Sequence, residues 1–521
     1  GKPTRRLDAP EKVNGKAQFG IDVKVPGQRT ALVVRAPAFG GKVKAFDAAK
    51  AKAMRGVEQV VQVPSGVAVV AKDFWSAQQA RDALEVSWDL GPGAEVDSQK
   101  MLASYRELAT KPGAVALAKG DADAALQKAP RRLLAEYDVP YLAHAPMEPL
   151  NCTVRVDGEG CEIWTGTQFQ TGDQAAAARI LGIAPEKVRI HTTFLGGGFG
   201  RRANPNSDFV SEAVHVAKAA GVPVKVVWTR EDDMRGGYYR PMFLHRIEAG
   251  VDAKGLPVAW RHTLVGQSIL AGTPFESAMV KDGIDGVSVE GVVDSPYLER
   301  VPSRRVTLHS PRNPVPVLWW RSVGHTHTAF AMEGMIDELA HAARRDPLAY
   351  RLALLGPGSR HGKALQLAAD KAGWGRRPPA GRARGLAVHA SFGSIVAEVA
   401  EVSVEKGRLR VHRVTCAVDC GLAVNPLAIE AQVQGSVAFG LGPVLRSAIT
   451  LERGRVKQSN FDDYEVLRLD DMPEVTVHLV ASGERMGGIG EPATAPIAPA
   501  VANAVFALTG KRLRSLPLRL A

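Results

Sequence analysis

Short runs of alternating apolar and polar residues, split by turn-formers, give way several times to helical spacing along this chain. Residues 31–36 (ALVVRA, stopped by Pro37) and 57–63 (VEQVVQV) read as strands. Residues 74–84 and 98–111 read as helices, the first opening after Asp73 as N-cap. An irregular stretch at 141–150 carries Pro146 and Pro149. Beyond it, residues 152–156 and 161–164 flank Asp157-Gly158-Glu159-Gly160, a hairpin signal. A helix (174–181), a strand (188–194), a glycine-rich loop and a helix (207–220) follow. The stretch 224–320 is largely strand-like with many turns. Apolar Met332, Met335, Ile336, Leu339 and Ala343 share one face of a helix predicted over 329–343 and ended by Asp346-Pro347. Residues 356–362 and 373–385 read as linkers, and a further mixed region runs from about 386 to the end. The pattern predicts an α+β protein.

At 521 residues the chain has room for two to four domains of about 150 residues each. It is 45% hydrophobic and 23% charged, which excludes a disordered or fibrous chain. Lys and Arg number 66 against 54 Asp and Glu, a net charge of +12. The basic pairs Arg201-Arg202, Arg304-Arg305, Arg344-Arg345 and Arg376-Arg377 are scattered, so they read as solvated faces and no nucleic-acid role is expected. No apolar run reaches about 18 residues, so no transmembrane span is expected in this chain. No signal peptide is expected, and residue 1 is Gly rather than Met, which reads as a trimmed chain. Cysteines are four, too few for a disulfide framework at this size. Cys416 and Cys420 would share a strand face about 13 Å apart, too far to bridge. No CxxC pair exists for zinc or iron–sulfur ligation, so any cluster must sit on another chain.

Four motifs could carry chemistry. Gly196-Gly197-Gly198-Phe199-Gly200-Arg201-Arg202 lies between a strand and a helix. Glycines there allow positive φ and bring backbone N–H groups close to an anion, or simply make a tight turn. Gly487-Gly488-Ile489-Gly490-Glu491-Pro492 again precedes a helix (497–508, closed by Gly510). Its single carboxylate is either a general base or a solvated loop residue. Trp319-Trp320-Arg321-Ser322-Val323-Gly324-His325-Thr326-His327 offers an HxH pair, which on a strand would share a face, or hydrogen-bonding histidines. Arg321 could hold an anion bidentately. Gln432-Val433-Gln434-Gly435, followed by Gly440-Leu441-Gly442, and Thr167-Gln168 supply amides beside small residues. No HExxH or GxSxG motif is present.

In this order, and over nearly the whole chain, the motifs resemble the molybdenum-binding large subunit of the xanthine dehydrogenase/aldehyde oxidase family, most of all its isoquinoline 1-oxidoreductase branch. Residues 8–17 (DAPEKVNGKA) resemble the opening of the family's α/β-hammerhead domain. The resemblance implies a hammerhead domain over 1–135 and molybdopterin-binding α+β domains over 136–375 and 376–521. It implies Glu491 as the base that takes a proton from a water-derived ligand. It implies cofactor contacts from Gln168, Gly197, Gly198, Phe199, Gly200, Arg321, Gln432 and Gly490, with no side chain ligating the metal directly. Ala203 and Val323 stand at substrate-facing positions where purine-oxidising relatives carry an acidic residue and a Phe, so an aldehyde or a less polar N-heterocycle is the expected substrate.

The same resemblance implies the cytosine-dinucleotide form of molybdopterin with Mo, and [2Fe-2S] clusters on a small partner subunit that receives the electrons. The family's GQG-type and TGGS-type cofactor loops are absent: the chain runs from His389 directly to Phe392-Gly393-Ser394. A separate or cleaved chain of about one to two hundred residues is expected to carry them. A periplasmic location is expected from the branch, with the cytoplasm as alternative. A cofactor-less scaffold or maturation protein of the same fold is the rival expectation.

Overall fold

The computed structural model describes residues 1–520 and is built on three principal sheets. The first has seven strands in the order Val188–Thr192, Cys161–Thr165, Asn151–Val156, Val224–Val227, Arg29–Arg35, Gly66–Ala71, Val57–Val63. Arg29–Arg35 pairs in parallel with Val224–Val227, so this sheet joins segments from both sides of the expected 135/136 division. Strand Gly66–Ala71 is buried along its whole length, as its unbroken apolar run requires. The helices Gln170–Leu181 and Asp208–Ala220 pack with this sheet around one core.

The second sheet orders Ala114–Lys119, Ser303–His309, Pro257–Gly266, Phe243–Val251 and Arg131–Val139. The third orders Arg382–Ser391, Ser394–Glu405, Arg408–Asp419 and Glu474–Leu479. Both share one large core with the helices His325–Ala342, Arg360–Ala372, Pro426–Leu445 and Ile497–Thr509. Alternating sheets and helices make the fold α+β.

Asp73 caps its helix as the sequence implies, accepting from Ser76 N at 2.8 Å. Several expectations are corrected. Residues 360–362 open the helix Arg360–Ala372 instead of a linker, because Ser359 caps it by accepting from Gly362 N at 2.9 Å. The strand expected to carry both Cys416 and Cys420 ends at Asp419, whose carboxylate accepts from Gly421 N and turns the chain. Residues 492–509 are long and apolar enough to cross a membrane, contrary to the sequence reading, yet 78% of that stretch is buried inside the protein. Arg201 and Arg202 are internal, not solvated.

Candidate active site

The 196–203 turn leaves strand Val188–Thr192 and ends at helix Asp208–Ala220. Gly197, Phe199 and Gly200 have φ of 103°, 53° and 108°. At Gly200 the requirement is also steric, since a Cβ there would lie 2.4 Å from the Trp319 carbonyl oxygen. Two buried arginines brace the turn from inside. Arg202 donates to the Gly197 carbonyl (2.9 Å), the Gly166 carbonyl (3.2 Å) and Glu148 Oε2 (3.1 Å). Glu148 Oε2 also accepts from Gly196 N at 2.7 Å. Arg201 makes a two-pronged pair with Asp208, at 3.0 and 2.6 Å. Gln168 N donates to the Arg202 carbonyl at 3.0 Å, and its Oε1 sits 2.6 Å from where a Gly198 Cβ would be. Gln168 therefore packs against Gly198.

A second turn, 319–324, faces the first. Arg321 donates from Nε (2.9 Å) and Nη2 (2.6 Å) to the Gly490 carbonyl, and from Nη2 to Gln432 Oε1 at 2.8 Å. Ser322 N donates to Glu491 Oε1 at 3.1 Å, and Ser322 Oγ to the Glu491 carbonyl at 2.8 Å. Ser322 and Val323 both have left-handed backbones, φ 76° and 47°. For a β-branched residue such as Val323 this is a strained conformation. Gly324 N donates to Glu290 Oε1 at 2.8 Å. Burial pushes the Glu290 carboxyl up to about 8.

Aromatic rings tie the turns together. Phe439 stacks on Phe199 (centroids 4.1 Å) and on Trp320 (4.4 Å). Beside this stack lies a cavity of about 680 Å³, largely apolar, walled by Gly196, Gly197, Phe199, Trp320, Arg321 and Gly435 among others. The sequence-predicted residues thus fall into three groups. Gly197, Phe199 and Arg321 line the cavity. Gln432 and Gly490 are fastened to Arg321, and Glu491 to Ser322, one residue behind the wall. Gly198 and Gly200 serve the turn itself, meeting Gln168 and Trp319. Ala203 N donates to the Gly200 carbonyl at 3.0 Å. Val323 borders a separate gap of about 10 Å³ with Phe243, Ile269 and Trp319.

The HxH pair lies on a helix, so its side chains diverge. His325 Nδ1 is 2.8 Å from His389 Nε2, while His327 Nδ1 is 2.9 Å from His245 Nε2. Burial pushes His325 down to about 4 and His327 well below its ordinary value, so both are neutral hydrogen-bonding groups. Glu148, Glu290 and Phe439 belong to this site and were not singled out from sequence. Of these only Phe439 carried a signal, an aromatic between Gly435 and Gly440 on a helix.

Models of the molybdopterin cofactor-binding domain match residues 108–354 and 331–473. The isoquinoline 1-oxidoreductase subunit beta of Brevundimonas diminuta is 35% identical over all of this chain and 68% of its own length. This chain belongs to the molybdenum-binding subunits of the xanthine dehydrogenase/aldehyde oxidase family. Another relative in this oxidoreductase family is the membrane-bound aldehyde dehydrogenase [pyrroloquinoline-quinone] of Gluconacetobacter polyoxogenes. It is 32% identical over 99% of this chain and 71% of its own length. The fold is shared with quinoline 2-oxidoreductase from Pseudomonas putida 86, at a TM-score of 0.81 and 14% identity, over 99% of this chain and 96% of that one. It is shared also with the aldehyde oxidoreductase of Desulfovibrio gigas, at 0.80 and 16%, over 99% and 79%.

The residues fit the family's molybdenum cofactor. Methyl groups placed at Gly435 and Gly490 would meet no backbone, and the first would lie 3.8 Å from Arg321 Nη1. The glycines therefore keep open a space that a guanidinium edges, suited to a flat ring system bearing anionic groups. Among the described residues no group of three His, Cys, Asp or Glu is placed to hold a metal ion.

Proposed function

We propose that this chain is the substrate-oxidising subunit of a molybdenum hydroxylase acting on an aldehyde or an N-heterocycle. The observation that carries this is the convergence of two distant motifs on Arg321 and Ser322: the Gly490 carbonyl and Glu491 carboxylate of one, and the Gln432 amide of the other. Bound at this site, the cofactor supplies oxygen transfer and takes up two electrons. Arg321 binds its anionic portion, and the 196–200 backbone with Gln168 orients it. Glu491 accepts a proton from the water-derived nucleophile, and its Oε1 is aimed by the Ser322 N–H. Small side chains at Ala203 and Val323 and apolar neighbours such as Ile269 and Trp319 favour an uncharged aromatic or aldehyde substrate over a polar purine. The names of the isoquinoline and aldehyde relatives support the same substrate classes.

The reading includes the cytosine-dinucleotide cofactor, a small [2Fe-2S] partner subunit as electron acceptor, and a further chain or segment carrying the remaining cofactor loops. It also includes a periplasmic location, tested by cell fractionation. The deciding experiment is Glu491→Gln in the complete complex. The expected result is a loss of 10²- to 10⁴-fold in kcat with molybdenum content unchanged. Undiminished dye-linked oxidation by the variant would remove Glu491 from the base role, and a complete complex that carries no molybdenum would overturn the proposal in favour of a cofactor-less scaffold.

A further inference from the structure

Glu290 lies outside the motifs and outside the cavity wall, yet it grips the turn that aims Glu491. The turn is costly to hold. Two consecutive left-handed residues, one of them β-branched, must be kept in place between Arg321 and Gly324. Val323 N donates to the Trp320 carbonyl at 2.6 Å, and Ser322 exchanges two hydrogen bonds with Glu491 on the cavity side. On the opposite side, among the described residues, the only side-chain acceptor is Glu290, which takes the Gly324 N–H at 2.8 Å. Helix His325–Ala342 has no cap from its own N-cap residue, Gly324, so Glu290 supplies that function from a distant segment.

Gly324 shows how closely the two segments meet. A Cβ there would lie 1.9 Å from the Val287 carbonyl oxygen and 3.0 Å from Glu290 Oε1. His325 Nε2 stands 3.5 Å from Glu290 Oε2, and His325 Nδ1 is in turn engaged by His389 Nε2 at 2.8 Å. Neighbouring carboxylates are otherwise occupied: Asp285 accepts from Val287 N and Ser268 Oγ, and Asp294 from Gly291 N. Glu290 is thus the one carboxylate of this group committed to the turn.

We propose that Glu290 is a positioning residue for the oxidation reaction: by holding Gly324 it fixes the strained 321–324 turn, and through Ser322 it fixes the direction of the Glu491 carboxylate. This rests on the reading of Glu491 as the base. A displaced base costs rate at the chemical step and leaves substrate binding nearly untouched.

The test compares Glu290→Ala and Glu290→Gln in the complete complex, with hydrogen–deuterium exchange read on the 320–330 region. The amide oxygen of Gln still accepts from Gly324 N, whereas Ala cannot. Glu290→Ala is expected to lose about tenfold to hundredfold in kcat, with KM within about twofold and molybdenum content unchanged. Its amides at 322–325 should exchange faster, and Glu290→Gln should recover most of the rate and protection. Parental kcat or parental exchange in Glu290→Ala would overturn the proposal, as would a loss that follows molybdenum content and is not recovered by Gln. Failure of the base assignment is seen separately, as full activity in Glu491→Gln.

Discussion

Ser322 and Glu491 hold one another in both directions: the Ser322 N–H donates to the Glu491 carboxylate, and the Ser322 hydroxyl donates to the Glu491 carbonyl. Residues 169 positions apart in the chain are joined at both backbone and side chain. The carboxylate cannot rotate freely without losing the N–H, and the Pro492 ring restrains the chain beyond it. A carboxylate held this way suits proton abstraction in one fixed direction.

Arg321 uses four donor contacts to tie Gly490 to Gln432. A lysine has the charge but not the planar fork. Arg321→Lys is expected to lower bound molybdenum at least severalfold, and to lower kcat per molybdenum as the 490–491 segment loosens. Metal analysis beside activity measures both, and a fully loaded, fully active variant would contradict this role.

Gly200→Ala places a methyl group 2.4 Å from the Trp319 carbonyl oxygen in a backbone region that alanine avoids. The two turns must separate, at a cost of about 2–3 kcal/mol. Thermal unfolding of the purified complex should shift down by several degrees, and an unchanged Tm would show that the contact between the turns is dispensable.

Phe439 is the middle ring between Phe199 and Trp320. Its truncation to Ala should cost about 2–4 kcal/mol, because both faces of the ring lose their partners. Equilibrium unfolding of parent and variant would report this; a change below 1 kcal/mol would mean the flanking rings close the gap.

Asp173 is buried, and burial pushes its carboxyl up to about 6, while the Thr167 hydroxyl opposes the shift. In the unfolded chain it ionises near 4. The folded form therefore holds a proton that the unfolded form releases as pH rises from about 4 to about 6, so this group's contribution to stability falls across that window and is level above it. Asp173→Asn does not titrate. The variant should gain roughly 2 kcal/mol relative to the parent between pH 4 and 6.5, measured by denaturant unfolding at several pH values; curves that stay parallel would refute it.

Local pattern made the element types legible wherever one short-range signal decided them, as at Asp73 with Ser76 or at the 157–160 hairpin. It misread 360–362, where a serine cap overrides the glycine, and it read Arg201-Arg202 as solvent-facing, because partners 54 positions away cannot be seen from a basic dipeptide. At the site, residues with unusual backbone needs or lone charges stood out: the 196–200 glycines, Arg321 and Glu491. Glu148 and Glu290 did not. Each is an ordinary acidic residue whose importance comes from backbone amides and, for Glu148, the Arg202 guanidinium, all supplied by distant segments.

The parallel pairing of Arg29–Arg35 with Val224–Val227 joins the amino-terminal strands to the rest of the seven-stranded sheet as one end of it. Removing residues 1–135 would strip three of its strands and lay bare the unpaired backbone of 224–227, an apolar rim ready to join another molecule. The opening quarter of this polypeptide is therefore a structural neighbour of the helix that follows the glycine turn, and truncations that omit it should clump rather than yield a smaller working catalyst.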